Sequence, residues 1–115
     1  EKRPGRIPGE TTMIKVTVFY PYQEGVAFDM DYYCKNHMPM VQKKLGAACK
    51  GIAVEKGILG GAPGTPPMFI AMGHIVCESP EAFQMAFMPH MAEIMGDIKN
   101  YTAIQPIIQI SSIKV

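Results

Sequence analysis

Within Phe28-Asp-Met-Asp-Tyr-Tyr-Cys-Lys-Asn-His-Met-Pro-Met-Val41, one histidine, His37, lies on the apolar stripe of a helical pattern, with Tyr33 one turn earlier and Pro39 directly after it. At helical spacing Met30, Tyr33, Cys34, His37, Val41 and Leu45 share a face, so a ring that exchanges protons near neutral pH points where core residues normally point. Such a histidine could serve as general base or acid, with Tyr33 as hydrogen-bond donor or proton partner. Apolar burial disfavours imidazolium and leaves a neutral ring able to accept a proton, while its second nitrogen still needs a partner, for which Asp29 or Asp31 is near in sequence. The structural alternative is that His37 only ties the proline bend to a backbone carbonyl, and that Tyr33 is an ordinary amphipathic core residue. Tyr32 is expected nearer to solvent, and Asp29 is first of all a helix N-cap.

The remaining histidines carry weaker signals. His74 shares a strand face with Ile70, Met72 and Val76, and it either reaches a ligand or hydrogen-bonds across a sheet. His90 follows Pro89 and is either a ligand contact or a helix-end residue at a rim. No HxH or HExxH spacing joins the three, so no metal is expected. The run Gly60-Gly61-Ala62-Pro63-Gly64 lacks the lysine and following helix of a phosphate-binding loop and reads as a flexible rim. No nucleophile elbow and no suitably spaced carboxylate pair is present.

The elements that must position these residues follow from periodicity. Residues 1–12 are polar, with two prolines and two glycines, and read as a flexible leader or expression remnant before Met13; residues 13–115 read as one domain. From Met13 to Tyr20 apolar residues alternate as in a half-buried strand, ended by Pro21. A helix is expected from about Met30 to His37, breaking or kinking at Pro39 and resuming to Leu45, because proline lacks a backbone donor and displaces the residue before it. Gly51 to Ile58 reads as a second strand, and Met68 to Cys77 as a third that is apolar on both faces. Ser79-Pro80-Glu81 opens a second helix that turns Ala82, Phe83, Ala86 and Phe87 inward, interrupted at Met88-Pro89. Tyr101 to Ile113 is expected as the last strand.

Strand, helix, strand, strand, helix, strand is the order of a ferredoxin-like α+β sandwich, a four-stranded antiparallel sheet with both helices on one face. The third strand needs cover on both sides, and two helices supply only one. The other face is therefore expected to meet the same face of a second copy, giving a homodimer. With 48% hydrophobic residues and a net charge of +1, and without a basic stripe, the chain is expected to bind neither nucleic acid nor a membrane surface. No apolar run approaches the roughly 18 residues that span a bilayer. Three scattered cysteines, Cys34, Cys49 and Cys77, fit reduced thiols in the cytoplasm.

The run from Phe28-Asp29 through Tyr32-Tyr33 to His37-Met38-Pro39-Met40-Val41, the loop Gly60 to Gly64, Ala71-Met72-Gly73-His74, and Asn100-Tyr101-Thr102 to Pro106-Ile107-Ile108-Gln109-Ile110 resemble the EthD family of dimeric α+β barrel proteins. The similarity spans about Met13 to Ile113. EthD is named for ethyl tert-butyl ether degradation, and related barrels include polyketide cyclases, dehydratases, lactone isomerases and haem-degrading oxygenases, so the fold does not choose an activity. The resemblance implies a pocket between the sheet and its own helices, walled by methionines and aromatics, that holds a small hydrophobic or carbonyl-bearing compound in catabolism. Its candidate residues are His37 and Tyr33 for catalysis and Met40, Met72, His74, Phe87 and His90 for ligand binding. Two functions stay open: a cofactor-independent cyclisation, dehydration or isomerisation run by His37, and a non-catalytic binding or accessory protein of an oxygenase system. Haem binding through a histidine has no distinguishing motif here.

Overall fold

A computed structural model of the chain describes residues 13–115; the expected leader over 1–12 lies outside the described residues. Strand β1 (Ile14–Pro21) alternates as its sequence does, with Ile14, Val16 and Tyr20 buried on one side. It lies at the centre of a four-stranded antiparallel sheet with β2 (Gly51–Lys56), β3 (Phe69–Cys77) and β4 (Ile107–Ser112), in the order β2-β3-β1-β4. The ferredoxin-like α+β sandwich is thus the observed architecture. The register sets Val16 opposite Ile75 and Ile110, so β1, β3 and β4 turn these residues toward the helices.

The first helical stretch differs from its expected form at the proline. Helix α1 (Met30–Tyr32) passes through a wide π turn (Tyr33–His37) directly into α2 (Met38–Leu45), without a break. Pro39, which has no N–H, occupies the first turn of α2, and the residue before it keeps helical angles. Met38 N–H reaches back five residues to the Tyr33 carbonyl. One wide turn before the proline absorbs the register change that a regular helix would have met as a broken hydrogen bond. The wider turn also keeps Tyr33, His37 and Met38 buried together, while Cys34, expected on the inward face, is exposed.

Asp29 caps α1, its Oδ1 accepting the Tyr32 N–H at 3.0 Å. The second helical stretch opens as its residues indicate: Ser79 Oγ accepts the Ala82 N–H at 3.0 Å, with Pro80 in the first turn of α3 (Pro80–Phe87). A 3-10 turn at Met88–His90 accommodates Pro89 and leads into α4 (Met91–Gly96). The last strand starts later than expected. Tyr101 buries its ring instead of entering the sheet, Thr102 bridges to Phe28, and Pro106 cannot donate a ladder hydrogen bond, so pairing with β1 begins at Ile107.

The helices cover one face of the sheet. The other face carries Phe19, Met72 and Ile107, joined by direct cross-strand pairing, together with Thr17 and His74. Among the described residues no helix is long and apolar enough to cross a membrane.

Candidate functional site

Between the sheet and the helices lies a cavity of about 170 Å³. Val16, Val18 and Tyr20 of β1 and Ile75 of β3 form its floor, Tyr33, His37, Met38 and Val41 one wall, and Phe83, Phe87, Ile94 and Met95 the opposite one. Pro106 and Ile108 border it on the β4 side. Its surface is overwhelmingly apolar, and among the described residues that line it none is an Asp, Glu, Lys or Arg.

His37 is 5% exposed and is held by a residue that sequence distance conceals. Its Nδ1 stands 2.9 Å from Asp97 Oδ2, in the segment that follows α4. The other carboxylate oxygen, Oδ1, accepts the Tyr32 hydroxyl at 2.7 Å and the Asn100 side-chain N–H at 2.8 Å. Three donors therefore hold Asp97 ionised and below its ordinary value of 3.8, against the effect of its own burial. Burial lowers the His37 pKa from 6.5 and outweighs the raising effect of Asp97. A neutral ring beside an ionised carboxylate carries its hydrogen on Nδ1 and donates it to Asp97, which leaves a lone pair on Nε2. Nε2 has no hydrogen-bond partner among the described residues.

Aromatic rings fix the plane of the imidazole. Tyr33 stacks on it at 5.5 Å and 14°, and Tyr101 tilts against it at 4.8 Å. Behind them Tyr20, Phe28, Tyr33 and Tyr101 meet edge to face or tilted, and the Tyr20 and Tyr101 hydroxyls share a hydrogen bond of 2.6 Å. Burial pushes the Tyr20, Tyr33 and Tyr101 phenols above their ordinary value, so they stay protonated near neutral pH.

Of the residues singled out from sequence, the structure brings His37, Tyr33 and Phe87 to the cavity. Tyr33 meets His37 by ring stacking, not through its hydroxyl, which lies against Gly73 of β3. Met72 and His74 are on the opposite face of the sheet, because residues of a strand alternate sides and Ile75 takes the cavity side. There His74 accepts or donates across the sheet, Nδ1 to Thr17 Oγ1 at 3.0 Å and Nε2 to Glu55 Oε1 at 2.5 Å, the cross-sheet alternative weighed for it. Met40 packs partly buried against the core, off the cavity wall. His90 ends the turn between α3 and α4, also off the wall. The expected methionine lining is reduced to Met38 and Met95, and valines and isoleucines together with aromatic rings supply the rest of the wall besides Pro106. Among the described residues no group of three or more His, Cys, Asp or Glu side chains is placed to hold a metal ion.

Asp97 is the partner of His37 that sequence reasoning missed. Asp29 and Asp31 were the expected partners of His37, but Asp29 is engaged in capping α1, and the partner comes from 60 positions downstream. One local signal was present: Asp97 interrupts the apolar pattern Ile94, Met95, Ile98 directly after Gly96, a carboxylate where the helix face turns inward.

The model of the EthD domain matches residues 24–105, which include the whole of the His37–Asp97 arrangement. The chain belongs to the EthD family. A solved EthD-like protein from Ralstonia eutropha is 54% identical, with a TM-score of 0.88 over 92% of this chain and 96% of that one. An EthD family protein from Bacillus halodurans is 17% identical (TM-score 0.62, covering 89% and 99%) and a dimeric ferredoxin-like protein of unknown function from Thermobifida fusca 13% identical (TM-score 0.55, covering 90% and 93%); at these identities they attest the fold. No curated protein matches the chain.

Proposed function

We propose that this EthD protein binds a small hydrophobic compound in the cavity beneath its helices and that His37 takes a proton from it, in acid/base chemistry that needs no cofactor. The observation that carries this reading is the Asp97–His37 pair at 2.9 Å on the edge of an apolar cavity. A container that changes no bond, or an accessory protein of an oxygenase, needs the apolar wall but not an imidazole oriented from behind by a carboxylate. A carboxylate so placed selects one tautomer and stabilises the imidazolium that forms on proton uptake.

The test uses the purified protein with its methionine methyl groups labelled, and a panel of single-ring hydroxyl, ketone and lactone compounds in deuterated water. Binding is expected to shift the Met38 and Met95 methyl signals, and isotope exchange or conversion of a bound compound is expected in wild type. In His37→Ala the rate should fall by about 10²-fold or more while the methyl shifts persist. Equal rates in the two proteins would remove the acid/base reading, and silent methyls would remove the binding reading.

The functional unit in this proposal is a homodimer joined through the open sheet face, in a reducing, cytoplasmic compartment that suits the three free cysteines. Phe19, Met72 and Ile107 give that face an apolar centre, and Ile107 is 56% exposed in the single chain. Sedimentation equilibrium is expected to give twice the single-chain mass of 12.7 kDa, and Ile107→Lys is expected to weaken association without unfolding the subunit. A wild-type protein that sediments as one chain at tens of micromolar rules the dimer out.

A further inference from the structure

Among the described residues the cavity offers a ligand one polar side-chain handle. Besides His37, the residues on its wall with a side-chain oxygen or nitrogen are Tyr20 and Tyr33. The Tyr20 hydroxyl is engaged with Tyr101 at 2.6 Å. The Tyr33 hydroxyl stands against β3, where a Cβ on Gly73 would lie 2.0 Å from it, and directs its hydrogen to the Tyr20 oxygen. What remains is Nε2 of His37, and because the ring hydrogen on Nδ1 is committed to Asp97, Nε2 presents a lone pair and no hydrogen.

That handle discriminates among ligand chemistries. A compound whose only polar group is a carbonyl would bury an acceptor against an acceptor. A carboxylate would find neither a cation nor an N–H, and an ammonium would bury a charge with no carboxylate on the wall; each loses its hydration without replacement. A neutral O–H or N–H meets its complement. The volume of about 170 Å³ sets the size. A dry apolar cavity of about 150 Å³ holds benzene, so one ring with one small substituent fits.

We infer that the cavity selects a neutral, single-ring compound bearing one O–H or N–H donor, of which phenol is the simplest, and discriminates against carbonyl-only, carboxylate and ammonium analogues. This rests on the reading of the cavity as a ligand site with His37 as its proton acceptor, and it adds the chemistry of what enters. The acidic proton of the ligand is then the one hydrogen-bonded to Nε2. Its transfer breaks the ligand O–H or N–H bond, forms Nε2–H, and leaves an anion beside an imidazolium whose charge Asp97 balances.

Phenol, toluene, cyclohexanone, benzoate and benzylamine are titrated at pH 7.5 into wild type and His37→Leu, with the Met38 and Met95 methyl signals as the readout. Toluene measures the apolar wall alone, so the quantity of interest is the ratio of phenol to toluene affinity. It is expected to fall about tenfold in His37→Leu, the worth of one hydrogen bond to a buried acceptor. Cyclohexanone, benzoate and benzylamine are expected to bind at least about tenfold more weakly than phenol. Should His37→Leu fail to fold, the ¹⁵N shift of His37 Nε2 in wild type decides, since phenol must move it and toluene must not. An unchanged ratio, an Nε2 signal indifferent to phenol, or any of the three analogues binding as well as phenol overturns the donor selectivity while the cavity stands. If neither phenol nor toluene moves the two methyl signals, the ligand-site reading itself fails.

Discussion

Replacing Gly73 by alanine is expected to destabilise the protein by about 2 kcal/mol or more, a fall in Tm of roughly 10 °C for a domain of this size. The added Cβ would stand 2.0 Å from the Tyr33 hydroxyl and 3.2 Å from its Cζ, with Met38 Sδ at 3.6 Å. Tyr33 cannot swing aside. It is 1% exposed and hemmed by Tyr20, Phe28, Tyr101 and the ring of His37. Because Tyr33 stacks on His37, any retreat of the phenol is transmitted to the imidazole at the cavity edge. Tyr33→Phe removes the atom in conflict and alone should cost no more than about 1 kcal/mol. In the Gly73→Ala/Tyr33→Phe double variant at least half of the lost stability is expected to return, a coupling that urea unfolding of the four proteins measures directly. Simple additivity of the two changes would show that β3 and the π turn do not meet through this contact.

Asp97→Ala is expected to cost about 2 kcal/mol at pH 7 and to slow the proton transfer proposed for His37 by about 10²-fold or more. The buried Nδ1–H of His37 loses its acceptor, and the neutral ring no longer prefers the tautomer that leaves Nε2 free. The Tyr32 hydroxyl and the Asn100 amide are nearer to solvent and recover partners from water, so most of the loss falls on His37. Acid unfolding separates the two members of the pair. Both have folded-state values below their ordinary ones, so between the folded and unfolded values the unfolded chain holds more protons and stability rises with pH. The His37 contribution is complete above 6.5 and is lost as pH falls from there through its lower folded value. The Asp97 contribution is complete above 3.8 and is lost below it. Wild type should therefore weaken in two steps as pH is lowered. His37→Phe should lack the first step and Asp97→Ala the second. A first step that survives in His37→Phe, or an Asp97→Ala protein as stable as wild type, contradicts the geometry of the pair.

Local chemistry made much of this molecule readable. The alternation of Ile14, Val16 and Val18 marks β1 because a half-buried strand repeats every second residue, and the Ser79-Pro80-Glu81 start of α3 is legible because capping needs only neighbouring groups. His37 stood out as a titratable group on an apolar stripe. At Pro39 the same local rule led astray: it forbids a regular hydrogen bond, but it does not state whether the chain breaks or absorbs the change in a π turn, and burial of Tyr33, His37 and Met38 on one side goes with the latter.

What the amino-acid order determined by itself is the set of elements, their sequence, and one histidine turned inward. Tertiary structure decided what that histidine faces. The pairing of β3 with β1 sends Met72 and His74 to one side of the sheet and Ile75 to the cavity, and the packing of α4 brings Asp97 to His37 across 60 positions. Periodicity follows from geometry within a few residues, whereas a hydrogen bond between distant segments exists only once the apolar faces of the whole chain have been buried against one another. The carboxylate that sets the tautomer of His37 is therefore a product of the fold.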